Sequence, residues 1–206
     1  MKVAIIGAGN VGKAIAAGAT RAGHDVAISA SHPDHAASVA QVVGASAAHS
    51  NRAAIADADL VVLAVPAASL AELARELADG LAGKAVVDVS NRPTPDPSGL
   101  QTSIAEELQQ RLPKAKVVKA FNTAFATRQA QPEVDGVRAD GFVAGDDAGA
   151  KQAVLRLVEE IGFRPVDAGP LAAARTLEGM AWLNLTRAMQ DGTWQDAWVI
   201  AGPSRN

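Results

Sequence analysis

Short runs of β-branched and aliphatic residues alternate along the chain with alanine-rich stretches whose apolar positions recur at helical spacing. That alternation is the pattern of a sheet of parallel strands covered on both faces by helices. The apolar runs predict strands over residues 2–6, 25–29, 60–65, 85–90, 116–121, 141–144 and 164–167, with a further short one at 45–48. Helix signals fall between them. Pro33 suits a first turn, Ser69 with Glu72 and Ser103 with Glu106 have capping-box spacing, and Gly162 suits the end of a helix begun near Asp147. Residues 92–99, RPTPDPSG, carry three prolines and predict an irregular loop. From 171 to 189 the pattern becomes one helical stretch with Leu177, Met180, Ala181, Leu185 and Ala188 on a single stripe. The expected architecture is α/β, a doubly wound, mostly parallel sheet with a short C-terminal helical extension. The main domain covers residues 1–168; the extension covers 169–206 and packs on it or on a second subunit.

Composition narrows the function. Of 206 residues, 49% are apolar and only 3% aromatic, so Ala, Val, Leu and Ile must fill one principal core. A net charge of −3 supplies no basic field to capture nucleic acid. The longest apolar run, 60–68, contains Pro66 and is too short for a membrane span, so neither a nucleic-acid nor a membrane partner is expected. The N-terminal apolar run is cut by Gly7 and Gly9 and does not read as a removable leader. With no cysteine, thiol nucleophiles and thiolate metal sites are excluded, and a reducing, cytoplasmic setting is expected. His24, His35 and His49 show no metal-ligand spacing and read as solvated residues. Trp182, Trp194 and Trp198 all lie in the C-terminal stretch, where they either seal the core or face a second copy; a homodimer built there is the expectation.

The candidate chemistry sits at the start of the chain. Gly7, Gly9 and Gly12 form G-x-G-x-x-G directly after a predicted strand and at the opening of a predicted helix. The first glycine permits a tight turn, the second lets backbone approach a diphosphate, and the third lets helix and strand pack closely. This is the Rossmann signature of a dinucleotide site, with the helix N-terminus facing the phosphates. After the second strand, where NAD sites usually carry an acid, the chain reads Ser29-Ala30-Ser31-His32-Pro33 with no acid before Asp34. Hydroxyls and an imidazole accept a 2′-phosphate, so NADP(H) is expected over NAD. His32 either contacts that phosphate or caps the next helix. Later strand ends should reach the same rim: Ala64, Val65 and Pro66 beside ribose and nicotinamide, then Ser90 and Asn91, then Ala120, Phe121, Asn122 and Thr123. Pro66 and Asn122 are the candidates for aligning a ring. Ordinary loop capping is the alternative role for the Asn and Thr residues.

With these residues placed, the chain resembles the small NADP oxidoreductases named for coenzyme F420-dependent NADP reductase. The resemblance runs through GAGNVG at 7–12, LAVP at 63–66, VVKAFNT at 117–123, GDD at 145–147 and RPVDAGPLAAAR at 164–175. The cytosolic reductase domain of membrane metalloreductases is similar too, at Phe121-Asn122-Thr123, although no membrane part is expected here. The resemblance implies hydride transfer between NADP(H) and a deazaflavin (coenzyme F420) or flavin, with Asn10, Val11, Ser31 and His32 on the dinucleotide. The chain departs from the archaeal type in having Ala30-Ser31 in place of Ser-Arg, and Asn122 and Ala124 in place of His and Ile.

Ring-to-ring hydride transfer needs alignment more than acid or base side chains. Reduction of an imine or small carbonyl compound would need a proton donor. With no tyrosine in the chain, Lys119 is the best placed, unless it is a buried strand lysine with a partner. A non-catalytic NADP(H) sensor is the third reading.

Overall fold

The structure, a computed structural model, describes residues 1–92 and 101–202. Its strands are β1 (Lys2–Ile6), β2 (Asp25–Ser29), β3 (Ser46–Ala47), β4 (Leu60–Leu63), β5 (Ala85–Asp88), β6 (Lys116–Ala120), β7 (Glu133–Val134), β8 (Val137–Arg138), β9 (Asp140–Gly145) and β10 (Arg164–Gly169). Eight of them form one sheet in the order β10-β9-β6-β5-β4-β1-β2-β3, in which β1 to β6 run parallel. The sheet is mostly parallel because β9 pairs antiparallel with β6, and β10 then follows β9 in parallel.

The helices are α1 (Asn10–Arg21), α2 (Pro33–Val43), α3 (Asn51–Ile55), α4 (Leu70–Leu81), α5 (Ile104–Arg111), α6 (Ala126–Ala130), α7 (Ala148–Ile161) and α8 (Ala174–Asp191). They bury the sheet from both sides, so alternate residues of one strand enter different cores. Val3 and Ile5 pack with α1 and α7 residues, while Ala4 and Ile6 pack with Leu73, Leu77 and Leu108 of α4 and α5. Apolar runs without polar alternation follow from that double burial.

Several local signals act as the residue types dictate. Ser103 and Glu106 form a complete capping box at the start of α5. Pro33 opens α2, and Gly162 ends α7 at φ +122°. Ser69 behaves differently. A 3₁₀ turn, Ala67–Ser69, precedes α4, so Ser69 already has helical backbone angles and its side chain caps nothing. The predicted helix over 171–189 is likewise divided into a 3₁₀ turn, Leu171–Ala173, and α8.

The strands expected to reach residues 65, 90 and 121 stop at Leu63, Asp88 and Ala120, which frees the residues after them for the rim. The hairpin β7–β8 was not anticipated, although Asp135-Gly136, both at positive φ, is the dipeptide that such a tight turn favours. Residues 93–99 of the proline-rich segment lie outside the described residues.

The stripe expected on α8 is only partly the buried one. Leu177 and Ala188 are buried and Met180, Ala181 and Leu185 half-buried, but Glu178 and Asn184 are buried with them. Polar side chains are tolerated there because each meets a backbone group: Glu178 Oε1 accepts from Ile104 N at 2.8 Å, and Asn184 Nδ2 donates to Thr123 O at 2.8 Å. Trp198 packs with Phe142, Ala144 and Leu177, whereas Trp194 is 47% exposed and meets Phe125 edge to face.

Candidate functional site

Strand order reverses beside β1, which has β2 on one side and β4 on the other. At such a switch point the loops leaving the C-terminal strand ends diverge and open a crevice. The glycine turn stands there, and each glycine has a separate steric reason. Gly7 has φ +112°, and a Cβ on it would lie 2.2 Å from Ala64 O. A Cβ on Gly12 would lie 1.9 Å from Gly7 O. Gly9, at the N-cap of α1, has no atom within 4 Å of such a Cβ, so its space opens outward. Asn10 is exposed and Val11 half-buried at the same helix start. His35 is not the merely solvated residue expected: its Nε2 lies 3.0 Å from Ala8 O and ties α2 to the turn. His24 lies 2.9 Å from Glu160 Oε2, and no metal-holding group of His, Asp and Glu occurs among the described residues.

The predicted rim residues follow in sheet order, from β2 through β1, β4 and β5 to β6, across four strand spacings or about 19 Å. Ser31 and His32 are exposed after β2, with Ser31 Oγ and His32 Nδ1 3.1 Å apart. His32 occupies the N-cap position of α2, but its side chain makes no capping bond. Ala64 and Val65 are half-buried and Pro66 exposed after β4. Asn91 and Asn122 are joined directly: Asn122 Nδ2 donates to Asn91 Oδ1, and Asn91 Nδ2 to Asn122 O, both at 2.9 Å. Ala120 is brought to no surface; it is wholly buried in the core.

Phe121 turns the chain at the end of β6 with φ +62°, a strained value for a side-chain-bearing residue. Gln129 Nε2 donates to Phe121 O and Ala124 O, both at 3.0 Å, and Phe163 packs edge-on against the Phe121 ring. These contacts hold the strained turn in place, and with it Asn122 at the rim.

Beneath the rim lies a buried ion cluster. Lys119 is wholly buried and its Nζ donates to Asp88 Oδ2 at 2.8 Å, to Glu178 Oε1 at 3.0 Å and to the Ser90 carbonyl. Asp88 Oδ1 in turn accepts from Ser90 N and Oγ, shaping the turn that carries Asn91. Lys119 is thus the buried strand lysine with partners, and its proton is fully engaged. Asp88, Gln129, Glu178 and Asn184 were not singled out from the sequence. A charged residue in each of two neighbouring apolar runs, VVDVS and VVKAF, is the signal that could have found Asp88, since it is the register partner of Lys119.

A cavity of about 200 Å³ opens between the glycine helix, this rim and α8, lined among others by Val11, Asn91, Asn122, Glu178, Trp182 and Leu185. Asn122 Oδ1 is buried and has no hydrogen-bond partner among the described residues.

Helix α8, which forms one wall, is fastened at its start by Arg175, whose Nε donates to Glu106 Oε2 at 2.8 Å. That hydrogen bond, joined by those from Ser103 and opposed by burial, holds the Glu106 carboxyl at about 2 against an ordinary 4.5. Because the folded value is the lower one, the stabilisation is present above about pH 4.5 and lost as pH falls toward 2. Thermal melts across that range should show the wild type losing more stability on acidification than Glu106→Gln; parallel curves would contradict this linkage.

A glycine-rich turn at the switch point of a doubly wound sheet, facing a cavity closed by a C-terminal helix, defines a Rossmann-type α/β protein. The family model described as "NADP oxidoreductase coenzyme F420-dependent" matches residues 2–92. A solved structure from Arthrobacter sp. FB24, named as a candidate F420-dependent NADP reductase, superposes with a TM-score of 0.88 at 30% identity, covering 98% of this chain and 100% of that one. The chain belongs to this family of NADP oxidoreductases.

Among curated relatives, Metalloreductase STEAP3 of Rattus norvegicus is 34% identical over 184 residues, covering 87% of this chain and 36% of the relative. The F420-dependent NADP reductase of Methanocaldococcus jannaschii is 32% identical over 144 residues, 63% of this chain and 62% of that protein. The chain therefore spans about a third of the length of the metalloreductase and less than two thirds of the archaeal reductase. Among the described residues, no helix is long and apolar enough to cross a membrane.

Proposed function

We propose that this chain binds NADP(H) along the rim and passes hydride between its nicotinamide and a deazaflavin (coenzyme F420) or flavin ring lodged in the cavity against α8. The observation that carries the reading is the glycine turn. Gly7 and Gly12 are forced by contact with backbone, yet Gly9 faces open space at a helix N-terminus, which leaves room and amide donors for a diphosphate. Ser31 and His32 would meet the 2′-phosphate, and Asn10 and Val11 would flank the diphosphate. Ala64, Val65, Pro66 and Asn91 would border the ribose and nicotinamide.

An N–H on a bound ring would satisfy the orphaned Asn122 Oδ1, and Pro66 and Asn122 would then align the two rings. NADPH supplies the hydride. The chain's residues fix ring orientation and exclude water. The same reading includes a cytoplasmic homodimer built on α8, where Leu183 and Met189 stand exposed.

Reduction of an imine or carbonyl compound with Lys119 as the proton donor is disfavoured, because Lys119 is enclosed by two carboxylates. The sensor reading is separated from catalysis by experiment. Under anaerobic conditions the protein should show calorimetric heat with NADPH and should oxidise it when a deazaflavin or a flavin is added. Heat without turnover on either acceptor would favour a sensor, and no heat with NADPH or NADH would end the proposal.

A further inference from the structure

The ion cluster under the rim holds two carboxylates against one wholly buried cation. Asp88 is well served, since Oδ2 receives Lys119 and Oδ1 receives both Ser90 N and Ser90 Oγ. Glu178 is less well served. Its Oε1 accepts from Lys119 and Ile104 N, but Oε2 is buried with no hydrogen-bond partner among the described residues.

The charged groups around Glu178 come from every packed element. Lys119 on β6 and Asp88 on β5 lie beneath it. Arg92 Nε, after β5, is 3.8 Å from Oε2, while Arg92 Nη2 donates to Glu107 Oε1 at 2.6 Å. On α5, Glu106 is taken by Arg175. Burial pushes the Glu178 carboxyl above its usual range; Lys119 pulls it down, and Asp88 adds to the rise. Glu178 is 6% exposed and lines the same cavity as Asn122 and Trp182.

We propose that Glu178 carries a proton on Oε2 and delivers it to the acceptor ring in this cavity. The inference rests on the proposed function, because hydride alone would leave a deazaflavin or flavin ring with a negative charge to be neutralised. As the C–H bond at the dihydronicotinamide breaks and its electron pair and hydrogen go to the ring, NADPH becomes NADP⁺. The O–H bond of Glu178 then breaks and an N–H bond forms at the ring nitrogen on which the charge collects. The carboxylate so formed faces Lys119 Nζ at 3.0 Å and regains its proton from water. In the opposite flux Glu178 accepts that proton.

The test begins on the protein without ligands. Infrared difference spectra of glutamate-labelled protein should show a protonated carboxyl band at neutral pH that is missing in Glu178→Gln. In single-turnover hydride transfer, Glu178→Gln should keep the calorimetric NADPH affinity but slow the step by about 100-fold and flatten its pH profile. For the wild type, a kinetic effect of heavy water on the same step is expected, which needs no variant to fold. The absence of that carboxyl band at neutral pH, or a hydride step insensitive to pH and heavy water, would overturn the assignment. NADPH heat without the carboxyl band removes the proton from Glu178 alone; a band without NADPH heat removes the proposed function and delivery to any acceptor with it.

Discussion

Lys119→Ala should lower the unfolding free energy by about 3–5 kcal/mol, the range expected when one partner of a buried ion cluster is removed. The substitution takes from Asp88 its buried cation and leaves Glu178 only the more distant Arg92 Nε at 3.8 Å, in a space from which water is excluded. Urea denaturation of the two proteins would read the difference. Replacing all three groups together, as Lys119→Met with Asp88→Asn and Glu178→Gln, should cost less than the single change, because no buried charge is then left alone. A loss under about 1 kcal/mol for Lys119→Ala would show that the cluster is hydrated or loosely held, and would remove its role as the support of the rim.

Two glycines only three positions apart should respond in opposite ways. Gly12→Ala drives a methyl group into the Gly7 carbonyl, a backbone atom that cannot move aside without opening the turn. A stability loss of about 1–3 kcal/mol or more is expected. Gly9→Ala meets nothing within 4 Å, so its stability should stay within about 0.5 kcal/mol of wild type. Its NADPH affinity should nevertheless fall by about tenfold or more, since the added methyl group occupies the space through which backbone reaches the diphosphate. Melting temperature and calorimetry on both variants separate packing from binding. If Gly9→Ala bound NADPH normally, the turn would be a structural device only.

The two variants also show how far the chain could be read without a structure. Glycine spacing after an apolar run reports a local steric need, and the contacts of Gly7 and Gly12 are of the expected kind. The capping box at Ser103 and the stop at Gly162 are equally local. Ser69 has the same spacing to a glutamate as Ser103, yet the 3₁₀ turn before it places it inside the helix rather than at its edge. Asp135-Gly136, at the turn between β7 and β8, is a signal of the same local kind.

The reversal of β9 was not legible, because an apolar run reads the same in either direction and only its pairing with β6 decides. On α8, apolar periodicity pointed to Met180, Ala181 and Leu185, while the buried face also includes Glu178 and Asn184. Hydropathy cannot register a polar side chain whose partner lies on another element. Arg175 has no local signal of its partner, yet it fastens α8 to the capping box of α5.

What the chain determined by itself is everything that depends on neighbours a few residues away: where strands begin, where helices are capped, and where only glycine fits a turn. Tertiary structure decided the partners of charge. Asp88 and Glu178 stand 31 and 59 residues from Lys119 and reach it through strand register and the docking of α8. Coulombic and desolvation energies depend on distance in space and on the exclusion of water, and neither quantity is written in the order of the residues.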